Sequence, residues 1–106
     1  MKTKYIEINK EARVKIKYES FYNWFELQLQ VKHWFWGFID SPYYKIYVSE
    51  SEEGEREQYF GLTSGNEHII YPKDKLDFKK VAFSLYEKRL KSIADREAQK
   101  QLINKL

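Results

Sequence analysis

Apolar and polar residues alternate with a period of two along most of the first 71 residues, and the period lengthens to that of a helix only after Pro72. Residues 3–8 (TKYIEI) are rich in strand formers, and Asn9-Lys10-Glu11-Ala12 has the make-up of a turn. Residues 13–18 alternate strictly: Val14, Ile16 and Tyr18 share one face, Arg13, Lys15 and Lys17 the other. Residues 24–36 carry the clearest pattern, with Phe25, Leu27, Leu29 and Val31 set against Glu26, Gln28, Gln30 and Lys32. Such alternation is the mark of a strand with one buried and one wet face.

At His33-Trp34 that pattern breaks, because Trp34 and Trp36 fall on the face that was polar. Either a bulge exchanges the faces or both become covered. Asp40-Ser41-Pro42 reads as the next turn. A strand follows over 43–49, with Tyr44, Ile46 and Val48 on one face and Tyr43, Lys45 and Tyr47 on the other. Ser51-Glu52-Glu53-Gly54 then makes a hairpin tip, and the chain returns through Gln58, Phe60 and Leu62. Gly61 inside that run points to a bulge. Residues 63–66 form a loop and His68-Ile69-Ile70-Tyr71 a last short strand.

Beyond Pro72, Asp74 or Asp77 is placed to cap a helix whose Phe78, Val81, Ala82, Leu85 and Tyr86 recur at helical spacing. Phe83 and Leu90 sit to one side of that stripe. The chain turns polar from Asp95 to Gln101 and ends in Leu102, Ile103 and Leu106. One unbroken helix over 77–104 would be about 42 Å long, whereas a compact domain of this length has a radius of gyration of about 13 Å. The helix therefore overhangs, or it breaks and restarts at Ser92-Ile93-Ala94-Asp95.

This order of elements predicts an α+β fold over residues 1–106 as one domain. Residues 1–71 form an antiparallel five- to six-stranded sheet, and 74–106 a long C-terminal helical segment that the sheet wraps, unless it closes into a partial barrel. In layout alone, and through no motif, the bulged aromatic strands resemble small RNA-binding half-barrels of the PUA or OB kind.

Composition narrows the function. Cysteine is absent, so disulfides, thiolate metal sites and thiol nucleophiles are excluded. Residues 1–10 hold no apolar leader core, and the longest mainly apolar run, Trp34 to Ile39, falls far short of a membrane span. A cytoplasmic protein without a membrane partner is the expectation. Aromatic residues make up 18% of the chain, and many of these rings carry a polar tip suited to an interface. The net charge of +3 is unevenly spread. Residues 1–17 hold six Lys/Arg against two Glu, residues 73–106 hold ten against five Asp/Glu, and residues 50–57 hold five Glu against one Arg. Two basic ends flank an acidic tip, and such a field can steer a charged partner.

A catalytic centre does not emerge. The phosphate-loop, dinucleotide, zinc-protease and nucleophile-elbow signatures are all missing. His33 and His68 stand alone as strand residues, and Asp40 reads as a turn former. Neither a cofactor nor a metal is expected. Interleaved rings and cations form the constellation that stands out. Lys32, Trp34 and Trp36 alternate on one strand, Tyr43, Lys45 and Tyr47 on the next, and Arg13, Lys15 and Lys17 extend the track. Rings stack on unpaired bases while lysines meet phosphates. The expectation is a small non-enzymatic regulator that binds nucleic acid, single-stranded RNA before DNA. The alternative is an inhibitor or adaptor of the phage or plasmid type. It would bind protein through the acidic tip (Glu50, Glu52, Glu53, Glu55) and the helix end (Leu102, Ile103, Leu106), where a homodimer could also form.

Overall fold

The computed structural model describes residues 3–51, 56–60 and 66–106, with side chains for all of these except 56–60, 66 and 67. Six strands precede one helix: β1 (Thr3–Asn9), β2 (Ala12–Glu19), β3 (Trp24–His33), β4 (Gly37–Ser51), β5 (Arg56–Phe60), β6 (Asn66–Pro72) and α1 (Phe78–Asn104). They form one open sheet in the order β1-β2-β3-β4-β6-β5. Its edges, β1 and β5, do not pair, so the sheet is not a closed barrel.

The alternation sets the register of the first three strands. Val14 lies opposite Leu29 and Ile6, and Ile16 lies opposite Leu27. Leu27 in turn faces Ile46 on β4, and Phe25 faces Val48. One face thereby collects Ala12, Val14, Leu27, Leu29, Ile46 and Val48, all buried, and α1 lays Val81, Ala82 and Leu85 onto them. Ile6, Ile16, Phe25, Ile69, Phe78 and Tyr86 pack around this core. The predicted core face is present except at Val31, which is half-buried and stands outside this cluster, and the opposite face of β3 is drier than read, since Gln28 and Gln30 are also buried.

The structure departs from the expected strands and turns in three places. First, the turn after β3 comes at Trp34-Phe35-Trp36, and Asp40-Ser41-Pro42 runs inside β4. Gly37, at φ +76°, supplies the left-handed residue that a three-residue hairpin loop requires. His33 Nδ1 then accepts the backbone N–H groups of Phe35 (3.1 Å) and Trp36 (3.3 Å).

Second, the irregularity lies in β4. Gln28 pairs with Lys45 but Gln30 with Asp40, so Ser41 to Tyr44 bulge out opposite Leu29 alone. Pro42, which has no N–H to give a ladder, is accommodated in that bulge.

Third, β5 does not fold back onto β4. β6 lies between them, parallel to β4 and antiparallel to β5, so the sheet is only mostly antiparallel. His68 and Ile70 are buried on one face of β6 while Ile69 and Tyr71 are half-buried on the other. A strand covered on both faces belongs in the sheet interior. The acidic tip at Glu52, Glu53 and Glu55, and the segment with Gly61 and Leu62, lie outside the described residues.

Of the two courses open to the helix, it takes the overhang and does not break at Ser92. Asp77 caps it by accepting Lys80 N–H at 3.3 Å, and its 27 residues run unbroken to Asn104. Apart from Asp95, Ala94 to Leu102 are strong helix formers, so the turn gains nothing by opening. Near its start Phe78 meets the Phe25 ring edge-on at 5.0 Å. Two turns later the Tyr86 hydroxyl accepts from Asn9 Nδ2 at 3.0 Å. Phe25 adjoins the β2–β3 turn and Asn9 the β1–β2 turn, so α1 crosses the sheet from one end to the other. From Ala94 onward every residue is exposed, and the molecule extends 54 Å along its longest axis.

Candidate functional site

Because α1 packs on one face, the other face of the sheet has no element over it among the described residues. Alternation dictates what that face carries. Cross-strand rows run Tyr5–Lys15–Gln28–Lys45, Glu7–Arg13–Gln30–Asp40 and Lys17–Glu26–Tyr47–His68, with Lys32 opposite Phe38 toward the hairpin tip. The sequence-read cations Arg13, Lys15, Lys17, Lys32 and Lys45 therefore share this face with Tyr47. Trp34 and Trp36 leave it for the hairpin tip, and Tyr43 leaves it for the bulge. Carboxylates share the face too. Lys15 Nζ lies 3.9 Å from Asp40, and Glu26 stands between Lys17 and Tyr47.

Positive charge gathers instead at the end of the face that holds the β1–β2 and β3–β4 turns. The Arg13 guanidinium is sandwiched there, 4.1 Å from the centroid of the Tyr5 ring and 4.3 Å from that of Phe38. Its Nε donates to Gln30 Oε1 at 2.8 Å, and Gln30 Nε2 donates onward to Asp40 Oδ1 at 2.8 Å. Two rings fix the plane of the guanidinium and one amide fixes its rotation. Arg13 forms one wall of a cleft of about 530 Å³, also lined by Tyr5, Glu7, Asn9, Lys10, Lys32 and Phe38. Three cations thus meet one carboxylate. Asn9 Oδ1 closes the β1–β2 turn by accepting Glu11 N–H at 2.8 Å, which sets Lys10 at the cleft margin.

Beyond the cleft stands the hairpin tip. Trp34 is 88% exposed, Trp36 71% and Phe35 64%, so these rings are surface and not core. They hold one another edge to face, Phe35 against Trp34 at 5.5 Å and against Trp36 at 4.7 Å, while Trp34 stacks on His33 at 5.7 Å. Tyr43, at φ +73° on the bulge, is 95% exposed. A bulky residue held in the left-handed region with its ring in solvent is an outlier that needs a reason.

A second aromatic group lies at the opposite end. Tyr22 stacks on Trp24 at 4.6 Å, and Trp24 meets Tyr47 at 4.9 Å and the His68 ring at 5.1 Å. His68 Nε2 and Ser49 Oγ are 2.7 Å apart. Burial lowers the His68 pKa below its ordinary 6.5, because a charged imidazole would lose its hydration there. These rings are a packed seam. The histidines do not meet: His33 caps the hairpin at one end and His68 sits in this seam. Among the described residues no three His, Cys, Asp or Glu side chains group as metal ligands.

Tyr5, Lys10 and Phe38 were not singled out by sequence. Tyr5 was within reach, since the turn at Asn9–Ala12 sets it opposite Lys15 on the basic face. Phe38 required Gly37 to be read as the turn residue. Compared with protein-family models, curated proteins and solved structures, the chain matches none.

Proposed function

We propose that this protein is a small non-enzymatic regulator that binds single-stranded nucleic acid, RNA before DNA, across its open sheet face. One observation carries the reading: a cleft with three cations, one of them held between two rings, lies beside a hairpin tip of three exposed aromatics. Phosphates of a single strand would follow Arg13, Lys15, Lys17, Lys32 and Lys45, with Tyr47 beside them. Unpaired bases would stack on Trp34, Trp36 and Tyr43, at about 1–3 kcal/mol per base. A duplex fits less well, because stacking on protruding rings requires bases that are already unpaired. The likeness of layout to PUA and OB half-barrels adds nothing to this argument, since no solved structure matches.

The test is fluorescence anisotropy of a short labelled oligouridylate over a series of salt concentrations. Binding should weaken linearly on logarithmic axes, with a slope near −0.7 for each phosphate neutralised, and the DNA of the same sequence should bind more weakly. Failure to bind either strand at low salt would end the reading.

A second reading, a protein-binding inhibitor or adaptor or a homodimer, is favoured by one feature. Leu102, Ile103 and Leu106 lie exposed at the end of a helix that has left the sheet. Apolar side chains placed so far from a core would gain from a second surface. Glu50, at the base of the acidic tip, accepts the Asp74 N–H at 3.1 Å and so helps to seat the helix start. Under this reading the protein should show no nucleic-acid affinity, and a cross-linker should trap a defined complex through the helix end.

A further inference from the structure

The open face does not explain why one arginine is immobilised while the lysines around it are not. Arg13 is pinned by Tyr5, Phe38 and Gln30, and only its Nε is consumed. Its terminal nitrogens have no hydrogen bond to any described residue. A guanidinium with a fixed plane presents two parallel N–H donors, the arrangement that fits two oxygens of one phosphate. Lys10 and Lys32, both exposed on the same cleft, add two mobile charges, and Glu7 is the one carboxylate among the described residues that line it.

The charge count distinguishes between kinds of phosphate. An internal phosphodiester carries one negative charge and would leave the cleft with an excess of cations. A phosphate monoester carries nearly two at neutral pH and offers three strong acceptor oxygens. We propose that this cleft holds the 5′-terminal phosphate of a single-stranded RNA, with Arg13 gripping two oxygens and Lys10 and Lys32 closing over the rest. The first base then reaches the rings of the hairpin tip, and the strand leaves across the basic face. This rests on the nucleic-acid reading and adds to it a specific end.

The experiment compares two oligouridylates identical except for a 5′-phosphate or a 5′-hydroxyl. Wild type should bind the phosphorylated strand about tenfold more tightly, the ratio expected from one or two charge-assisted hydrogen bonds. Arg13→Gln should bring that ratio close to one. Since Arg13 also packs between two rings, Lys10→Ala with Lys32→Ala provides a pair of exposed substitutions for the same readout, and it should shrink the ratio likewise. Equal, measurable affinity of wild type for both strands would overturn the terminal-phosphate site and leave the RNA reading standing. Binding of neither strand would overturn both. A preference that survives both variants would place phosphate recognition elsewhere and sink the proposal.

Discussion

Gln28 on β3 donates its side-chain amide to the backbone carbonyl of Ser41 on β4 at 2.9 Å, across the bulge that sets four residues of β4 against one of β3. The same nitrogen reaches Leu29 O at 2.9 Å and Tyr44 O at 3.4 Å. A bulge breaks the ladder and strands carbonyl groups, and the buried Gln28 amide replaces the missing partners. Its presence on the basic face is thus structural. Gln28→Leu keeps the volume but removes the donor, and should cost about 1–3 kcal/mol as the carbonyls lose their hydrogen bonds. Gln28→Glu should cost more, since a carboxylate cannot donate. Urea melts of both variants check this; a change below a few tenths would mean that water reaches the bulge.

The bulge also shows where the sequence was legible. Strict alternation of Leu27 and Leu29 with Gln28 and Gln30 identified the buried face, because a strand has no other way to hide every second residue. Both leucines are fully buried, so either one changed to alanine should lower stability by about 2–5 kcal/mol. The turns were harder to read. Asp40-Ser41-Pro42 has turn composition, yet the chain uses Pro42 inside a bulge and turns at Gly37 instead. Composition does not separate these cases, because a bulge and a turn both need a residue that withdraws from the ladder. The partner of β4 was also hidden. Pairing β4 with β6 is a long-range choice made by burial on both faces of His68 to Tyr71, and no local pattern encodes it. The cleft was only half visible for the same reason, since Phe38 joins Arg13 only when the hairpin turns at Gly37.

Gly37 offers a test of that turn. A Cβ added there would meet no atom within 4 Å, so a side chain would not clash, but φ of +76° is unfavourable for any L-residue. Gly37→Ala should therefore destabilise by about 1–2 kcal/mol through backbone strain alone. Gly37→Asn should recover part of this, because asparagine tolerates the left-handed region. Equal loss in both variants would point to a different turn geometry.

His68 should tie stability to pH. Its folded-state pKa is lowered by burial, whereas the unfolded chain titrates near the ordinary 6.5. Below that value the unfolded state takes up a proton that the folded state resists, so stability is full above about 6.5 and falls as pH drops toward the folded-state value. Between pH 7 and pH 5 the wild-type melting temperature should fall more steeply than that of His68→Gln. Parallel curves for the two proteins would show that the imidazole is solvated in the folded state.

Trp34→Ala combined with Tyr43→Ala separates surface from core. Both rings are almost wholly exposed, so the double variant should melt within about 1 kcal/mol of wild type, as surface changes do. Tyr43 alone changed to glycine should even gain stability, because relief of left-handed strain (about 1–2 kcal/mol) exceeds the added chain entropy (about 0.5–1 kcal/mol). Binding of single-stranded RNA should be lost in the double variant while the circular dichroism spectrum persists. Unfolding of the double variant would make those rings part of the packing and remove the main support for base stacking.

Removal of residues 95–106 addresses the overhang. The helix keeps its hydrogen bonds past Ile93 but has no further side chain buried, and its exposed pairings, such as Glu97 with Lys100 at 3.5 Å, are worth only a few tenths of a kcal/mol. Extending a docked helix costs no new nucleation, so the segment forms without being needed by the sheet. The truncated protein should accordingly unfold cooperatively, with a midpoint within about 2 °C of wild type, since stability changes of a few tenths shift a domain of this size by no more than that. Sedimentation of both proteins adds the second readout. A full-length dimer that becomes a monomer on truncation would assign Leu102, Ile103 and Leu106 to self-association. Loss of cooperative unfolding would mean that these side chains return to the core in solution, contrary to the unbroken course of α1.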